Sequence, residues 1–187
     1  MSRPSSHIFS ALASALFSKR VSANKVFPFP HSIGINCTRI ATVGDKIMTQ
    51  DMKYCSAWFL RGENGLYVCG HAKMLLSSGE GNAEIMHGLS NFRHLVSKDE
   101  QLELVVARRM FDERFSTLSH MSLENQKECV AAIQAGCKDL GLTISNLQFE
   151  FIGSATIVID GKEIKDLSRL ELFMNLARQN KSDSIAY

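Results

Sequence analysis

The stretch that decides the fold is residues 54–71, YCSAWFLRGENGLYVCGH. Two runs rich in aromatic and β-branched residues, 54–61 and 66–71, flank the glycine-bounded segment 62–65. An Asn-Gly pair between two such runs is the strongest short-range signal for a β-hairpin. The sequence therefore predicts two antiparallel strands joined by a tight turn at Asn64-Gly65.

The predicted turn length fixes which side chains share a face. With Asn64-Gly65 as a two-residue turn, residue 60 faces residue 69 and residue 58 faces residue 71. Cys69 and His71 then lie on the face of Trp58 and Leu60, and Cys55 lies on the opposite face. Only two ligands converge, whereas a structural zinc site needs four. We therefore predict no metal ion and no cofactor, and interpret Cys69 and His71 as packed side chains.

Helical patterns follow the hairpin. Residues 83–96 carry an apolar stripe at helical spacing, and residues 122–140 form a second helix, with Ser122 as its cap and Gly141 after its last turn. Ser97 and Glu100 have the spacing of a capping box, which predicts another helix towards Phe115. Residues 101–106 also alternate like a strand, so this interpretation has a rival.

The remaining elements complete the predicted fold. Residues 32–43 give a weak strand signal. Residues 149–152 and 155–159, around Gly153-Ser154, predict a second hairpin, and a short strand follows at 162–164. A last helix begins at Asp166 or Ser168 and ends near Gln179. Together these predict an α+β fold: a single compact domain of two antiparallel β-hairpins with four to five helices packed on the sheet.

The N-terminal segment differs in composition from the rest. No acidic residue precedes Asp45, and residues 7–19 form an amphipathic, serine-rich pattern that ends at Lys19-Arg20. Prolines at 28 and 30 favour a linker. We predict a basic N-terminal amphipathic helix in a targeting segment, residues 1–31, followed by a globular domain, residues 32–187. A mitochondrial transit peptide fits best; a bacterial export or effector address, a structural helix and a secretory signal are the alternatives.

Cysteine usage and charge limit the possible environments. Five cysteines form no CxxC pair, which favours free thiols in a reducing compartment. No run approaches the roughly 18 apolar residues that span a bilayer. The near-neutral body offers no electrostatic reason to bind nucleic acid outside the basic N-terminal segment. The predicted compartment is the mitochondrial matrix, with the bacterial cytoplasm or secretion into a host cell as alternatives.

Familiar catalytic motifs are missing. The segment Gly79-Glu80-Gly81 lacks the lysine and Ser/Thr of a phosphate-binding loop, and neither GxSxG nor HExxH occurs. The first hypothesis is therefore a non-enzymatic interaction protein, an assembly factor or a subunit of a larger complex. The alternatives are a bacterial effector or phage-encoded inhibitor that acts by binding a protein, and a small enzyme that uses Cys69 and His71 or the Gly79–Gly81 loop.

The last predicted helix supplies a candidate partner-binding surface. Its core stripe runs through Leu167, Leu170 and Phe173, whereas Leu172 and Leu176 lie on the far side, one turn apart. A helix that is apolar on both sides is covered on both sides. Leu172 and Leu176 are thus predicted to contact either the chain itself or a protein partner.

Overall fold

The computed structural model describes residues 31–74 and 78–167. The helices of this part are α1 (Ser78–Arg93) and α2 (Ser116–Asp139), which a short 3-10 helix, Glu113–Phe115, directly precedes. The nine strands are β1 (His31–Ile33), β2 (Cys37–Thr42), β3 (Ile47–Thr49), β4 (Ser56–Arg61), β5 (Leu66–Ala72), β6 (Gln101–Arg109), β7 (Thr143–Ile152), β8 (Ile157–Ile159) and β9 (Ile164–Asp166). The predicted N-terminal helix and Leu172 and Leu176 of the last helix lie outside the described residues; Asp166, one of the two predicted starts of the last helix, ends β9 instead.

The strands form two sheets. A five-stranded sheet has the order β2-β5-β4-β6-β7, and a four-stranded sheet has the order β1-β3-β8-β9. Neighbours in the larger sheet are antiparallel, except that β6 and β7, which α2 connects, are parallel. In the smaller sheet β1 runs parallel to β3, and the other neighbours are antiparallel.

The larger sheet is covered on both faces. We call the side that packs against α1 and α2 the helix face; its buried side chains include Trp58, Leu60, Phe92 and Ile133. We call the other side the strand face, where Ala57, Phe59 and Cys69 pack with residues of the smaller sheet. Because β4 is buried on both faces, it reads as a continuous apolar run without alternation. The result is three layers: helices, a five-stranded sheet and a four-stranded sheet.

The predicted fold class is wrong. Two antiparallel hairpins carrying four to five helices do not match a mixed-sheet domain whose described part holds nine strands and two α-helices. The helices predicted at 83–96 and 122–140 exist as α1 and α2, although each begins earlier than predicted. Gly141 has a φ of +64° after α2, as the predicted end requires. The error lies in the strands.

The segment 97–115 explains part of the error. The carboxylate of Glu100 accepts hydrogen bonds from the backbone N–H and hydroxyl of Ser97 at 3.0 and 3.4 Å. This interaction resembles a capping box but closes a turn, and the chain continues as β6. Leu102, Leu104 and Val106 pack on the helix face, and Val105 packs on the strand face. Burial on both faces favours a central strand over a surface helix.

The second predicted hairpin does not form either. β7 pairs with β6 in the larger sheet, whereas β8 pairs with β3 and β9 in the smaller one. Gly153 and Ser154 therefore link two sheets instead of closing a turn. Both of their backbone N–H groups donate to the carboxylate of Asp166, at 2.8 to 3.1 Å. The change of sheet is stabilised by a side chain from β9, which local sequence patterns do not show.

The first hairpin forms, but its register is shifted by one residue. Phe59 faces Cys69 and Ala57 faces His71, and the N–H of Gly62 bonds the carbonyl of Leu66 at 2.9 Å. The loop therefore has three residues, 63–65, and ends in Gly65 with a φ of +79°. A shift of one residue moves every side chain of one strand to the other face. Cys69 and His71 consequently lie on the strand face, not beside Trp58 and Leu60.

Candidate active site

The corrected register brings His71 and Cys55 to the same face. Cys55 directly precedes β4, and its side chain belongs to the buried cluster of the strand face. Ala57 faces His71, so Cys55, two residues earlier, is a diagonal cross-strand neighbour of the histidine. Diagonal neighbours on one face lie about 7 Å apart, within reach of long side chains. The structure thus places on one face of the sheet two residues that the predicted register had put on opposite faces.

Thr49 from the smaller sheet orients the imidazole ring. Its Oγ1 lies 2.7 Å from Nδ1 of His71 and 3.0 Å from the carbonyl oxygen of Ile33. Both contacts are hydrogen bonds only when the single hydroxyl proton of Thr49 is donated to the carbonyl of Ile33, which can only accept. Oγ1 must then accept the hydrogen bond from His71, which places the ring proton on Nδ1. Nε2 is left with a free lone pair.

That lone pair has no partner among the described residues. Nε2 of His71 is buried and makes no hydrogen bond there. His71 and Thr49 are each only 1% exposed. Burial lowers the pKa of His71 to about 4, and the nearby charge of Asp51 opposes this shift only in part. His71 is therefore neutral at pH 7.

The thiol of Cys55 lies near two lysines. Burial raises its pKa to about 11, while the charges of Lys73 and Lys53 lower it and that of Asp51 raises it. A thiol with this pKa is protonated at pH 7 and needs a base to become a nucleophile. The structure contains no hydrogen bond between Sγ of Cys55 and His71. Catalytic hydrogen bonds are often longer in unliganded enzymes.

Two other cysteines lie near His71. Cys69, the predicted partner of the histidine, is on the same strand and face, but it faces Phe59 inside the core. Burial raises its pKa to about 12. Cys37 faces His71 across β2 and is exposed, and its Sγ lies against Gly34. Cys55 differs from both because it combines burial with flanking lysines at the end of a strand.

The residues before the start of β4 leave Cys55 almost fully covered. Cys55 is 2% exposed, but Asp51 and Lys53 are exposed and Tyr54 is half-buried. The ammonium of Lys73 lies 5.7 Å from the centre of the Tyr54 ring. The surface next to the covered thiol is therefore polar.

The other predicted features do not form a site. Gly79-Glu80-Gly81 lies in the first turn of α1, where a Cβ on Gly81 would come within 2.9 Å of the sulfur of Met74. That glycine serves close packing. Within residues 31–74 and 78–167 no three His, Cys, Asp or Glu side chains cluster in a way that could hold a metal ion. No helix in the same ranges is long and apolar enough to cross a membrane.

The sequence pattern gave no sign of Thr49 and placed Cys69 and His71 on the wrong face, apart from Cys55. A three-residue turn would have put all three on one face, but no local pattern connects Thr49 to a histidine 22 residues away. Comparison of the chain with protein-family models and with curated proteins finds no match. The geometry of Cys55, His71 and Thr49 therefore has to carry the functional argument.

Proposed function

We propose that this protein is a thiol-dependent hydrolase that converts a primary carboxamide, such as that of a glutamine or asparagine side chain, into a carboxylate. Cys55 is the nucleophile, His71 is the general base and acid, and Thr49 positions the imidazole. The observation that carries the proposal is the buried His71, whose Nδ1 lies 2.7 Å from Oγ1 of Thr49 and whose Nε2 has no hydrogen-bond partner among the described residues; Cys55 lies on the same face of the sheet. A nucleophile, a base and a third group that orients the base form the general plan of acyl-transfer sites.

The reaction proceeds in two balanced halves. Nε2 takes the proton from Sγ of Cys55, and the thiolate attacks the carbonyl carbon of the amide. The C–N bond breaks as His71 returns the proton to nitrogen, so ammonia leaves and a thioester remains on Cys55. Nε2 then takes a proton from water, and the hydroxide attacks the thioester. The C–S bond breaks, the thiolate is reprotonated, and a carboxylic acid is released.

Because Cys55 is almost fully covered, a primary carboxamide is a more suitable substrate than an internal peptide bond. An internal peptide bond carries chain on both sides and needs an open cleft to reach a nucleophile. A primary carboxamide, as on glutamine or asparagine, carries chain on one side only and has a small leaving group. Because the thiol of Cys55 is only 2% exposed, a primary carboxamide can reach it far more readily than an internal peptide bond. The proposed substrate class is therefore a side-chain carboxamide.

Binding to a protein partner, the first hypothesis from sequence, remains a prediction. One observation bears on it: Phe149 and Phe151 on β7 are 52% and 59% exposed, and the guanidinium of Arg108 lies 5.0 Å from the centre of the Phe151 ring. Exposed neighbouring aromatic side chains are typical of interaction surfaces. This second candidate is compatible with hydrolysis, since an enzyme that modifies a protein must also bind it. The compartment predictions likewise remain untested.

The test uses two measurements on the full chain. Ammonia release is followed with N-acetylglutamine methylamide and its asparagine counterpart as substrates. Alkylation of each cysteine by iodoacetamide, itself a slender amide, is followed by peptide mass mapping. We expect Cys55→Ala to lower ammonia release by roughly 10³-fold or more, and His71→Ala to slow alkylation of Cys55 at pH 7.5 by roughly 10²-fold.

The matched control is Cys37→Ala, which removes the exposed thiol on the other side of His71. We expect this variant to retain full activity. Loss of ammonia release in Cys37→Ala but not in Cys55→Ala would show that Cys37, and not Cys55, is the nucleophile. If the unmodified protein releases no ammonia and its Cys55 reacts no faster than in His71→Ala, the hydrolase proposal is wrong.

A further inference from the structure

The tautomer of His71 depends on a carbonyl outside the three proposed catalytic residues. Thr49 can accept a hydrogen bond from Nδ1 only while its own proton is donated elsewhere, and Ile33 supplies the acceptor at 3.0 Å. Without that acceptor, the hydroxyl of Thr49 is free to donate to Nδ1. His71 would then carry its proton on Nε2, and that nitrogen would lose its lone pair.

The acceptor lies on the most weakly held strand at the site. β1 comprises three residues and pairs with β3 alone, in parallel register, with Ile33 opposite Thr49. His31 and Ser32 are exposed, and Ile33 is only partly buried. By contrast, β3 is held by strands on both sides. Displacement of β1 would therefore cost little pairing but would remove the acceptor from Thr49.

We infer that β1 is a positioning strand that sets the proton on His71, so that the chain entering the domain at His31 controls whether the site has a base. The inference rests on the proposed function for its catalytic meaning, but the tautomer itself can be measured without any activity. Residues 1–30 are joined directly to this strand. A pull on them, or their capture by another molecule, would act on the site through one carbonyl group.

Cys37 allows a direct test in the full-length chain. A synthetic thioester of residues 1–36 is ligated to recombinant 37–187 labelled with ¹⁵N-histidine, which restores the native sequence. In one version, the peptide bond between Ile33 and Gly34 is replaced by an ester, which makes the Ile33 carbonyl a weaker acceptor. The matched control has the ester between Gly34 and Ile35 and leaves the Ile33 carbonyl unchanged.

The expected results concern proton position and thiol reactivity. Ring ¹⁵N shifts should report Nδ1–H for His71 in the native and control proteins and an increased share of Nε2–H in the Ile33 ester. Alkylation of Cys55 by iodoacetamide should slow roughly threefold to tenfold in that ester alone, as weakening one hydrogen bond implies. Thr49→Val should abolish the difference between the two esters, and Thr49→Ser should preserve it.

Two outcomes separate this inference from the proposed function. Equal tautomer populations in the two esters, in folded proteins with the same melting temperature, would overturn the role of β1. A tautomer shift in a protein that neither releases ammonia nor shows His71-dependent alkylation would support the role of β1 and reject the hydrolase. If Thr49→Val keeps a pure Nδ1–H tautomer, the hydroxyl does not set the proton and the inference fails.

Discussion

The two faces of the five-stranded sheet differ in what they bury. The helix face buries an apolar cluster between the sheet and the two helices, and this cluster includes Cys129 and Cys137. The strand face buries Cys55 and Cys69 with apolar residues, and the histidine that contacts Thr49 lies on the same face. Both faces thus enclose cysteine thiols, but within the described residues only the strand face also buries a histidine. On that face the smaller sheet supplies a hydroxyl and a carbonyl beside the imidazole.

Coverage by strands has a physical advantage at such a site. The helices cover the sheet with side chains, because their backbone groups are bonded within the helix. A short strand can present a carbonyl to its surroundings, as Ile33 does for Thr49. That carbonyl cannot change its protonation state, so it fixes the hydrogen-bond direction of the hydroxyl at any pH. Equivalent substitutions on the two faces should therefore have similar effects on stability but different effects on the reactivity of Cys55.

The largest expected effect comes from a pair of buried phenylalanines. Phe92 packs on the helix face and Phe59 on the strand face, where its ring meets Tyr67 edge-on at 6.1 Å. Either residue replaced by alanine should lower the free energy of unfolding by about 3–5 kcal/mol. Only Phe59→Ala should also slow iodoacetamide alkylation of Cys55, because the cavity lies beside Cys69 and the histidine strand. Urea unfolding and alkylation under native conditions measure the two quantities.

The contrast between the faces fails if Phe92→Ala slows alkylation as much as Phe59→Ala does. It also fails if neither variant changes the reactivity of Cys55. Both rates are compared at a urea concentration and temperature at which each variant is at least nine-tenths folded, so that global unfolding does not contribute.

The second effect is a pH dependence of stability that originates on the strand face. The pKa of His71 is about 4 in the folded chain, below the ordinary value of 6.5. Between those values the unfolded chain binds a proton that the folded chain does not. The stabilisation is therefore complete above pH 6.5 and is lost as the pH falls towards 4. The shift corresponds to about 3 kcal/mol.

The measurement is the free energy of unfolding from pH 7.5 to 4.5 in the native chain and in two variants. His71→Gln should flatten the slope. His87→Gln should leave it unchanged, since His87 is exposed on α1 and contacts Asn91 at 3.1 Å. An equal slope in the native chain and in His71→Gln would mean that folding does not lower the pKa of the histidine.

The same comparison explains what the sequence could predict. The helices of the helix face could largely be predicted from sequence, because α1 and α2 are long enough for their apolar spacing to be recognised. The arrangement of the strand face could not be predicted, since β3, β8 and β9 have three residues each and show no periodicity. The existence of the first hairpin was predicted correctly. Its register depended on one residue of turn length, which local residues do not determine.

The candidate site was missed for the same reason. Cys69 and His71 were interpreted as packed side chains, with a small enzyme that uses them as an alternative, and the predicted register set both on the face opposite Cys55. Thr49 could not be identified at all, because its contact depends on how a second sheet lies on the first. Long-range packing of this kind leaves no local sequence signal, whereas helix caps and turn glycines do. Leu172 and Leu176 lie outside the described residues, so their predicted role is neither supported nor rejected.

The smallest expected effect tests whether the two faces are mechanically independent. Gly70 on β5 precedes His71 and points to the helix face, where an added Cβ would approach the indole of Trp58 at 2.6 to 2.8 Å. Gly70→Ala should therefore overpack that face and lower the free energy of unfolding by about 1–3 kcal/mol. His71 points the other way and is tied to Thr49. If the faces are independent, alkylation of Cys55 should change by less than about threefold, which corresponds to less than ~0.7 kcal/mol.

Gly79→Ala provides the matched control, because a Cβ there meets open space in the first turn of α1. It should leave both stability and alkylation within about 1 kcal/mol of the native values. A slowing of Cys55 alkylation beyond tenfold in Gly70→Ala, with the control unchanged, would show that a shift in β5 reaches the histidine. The helix face would then be part of the catalytic apparatus, since packing against Trp58 would determine the alignment of the base with the thiol.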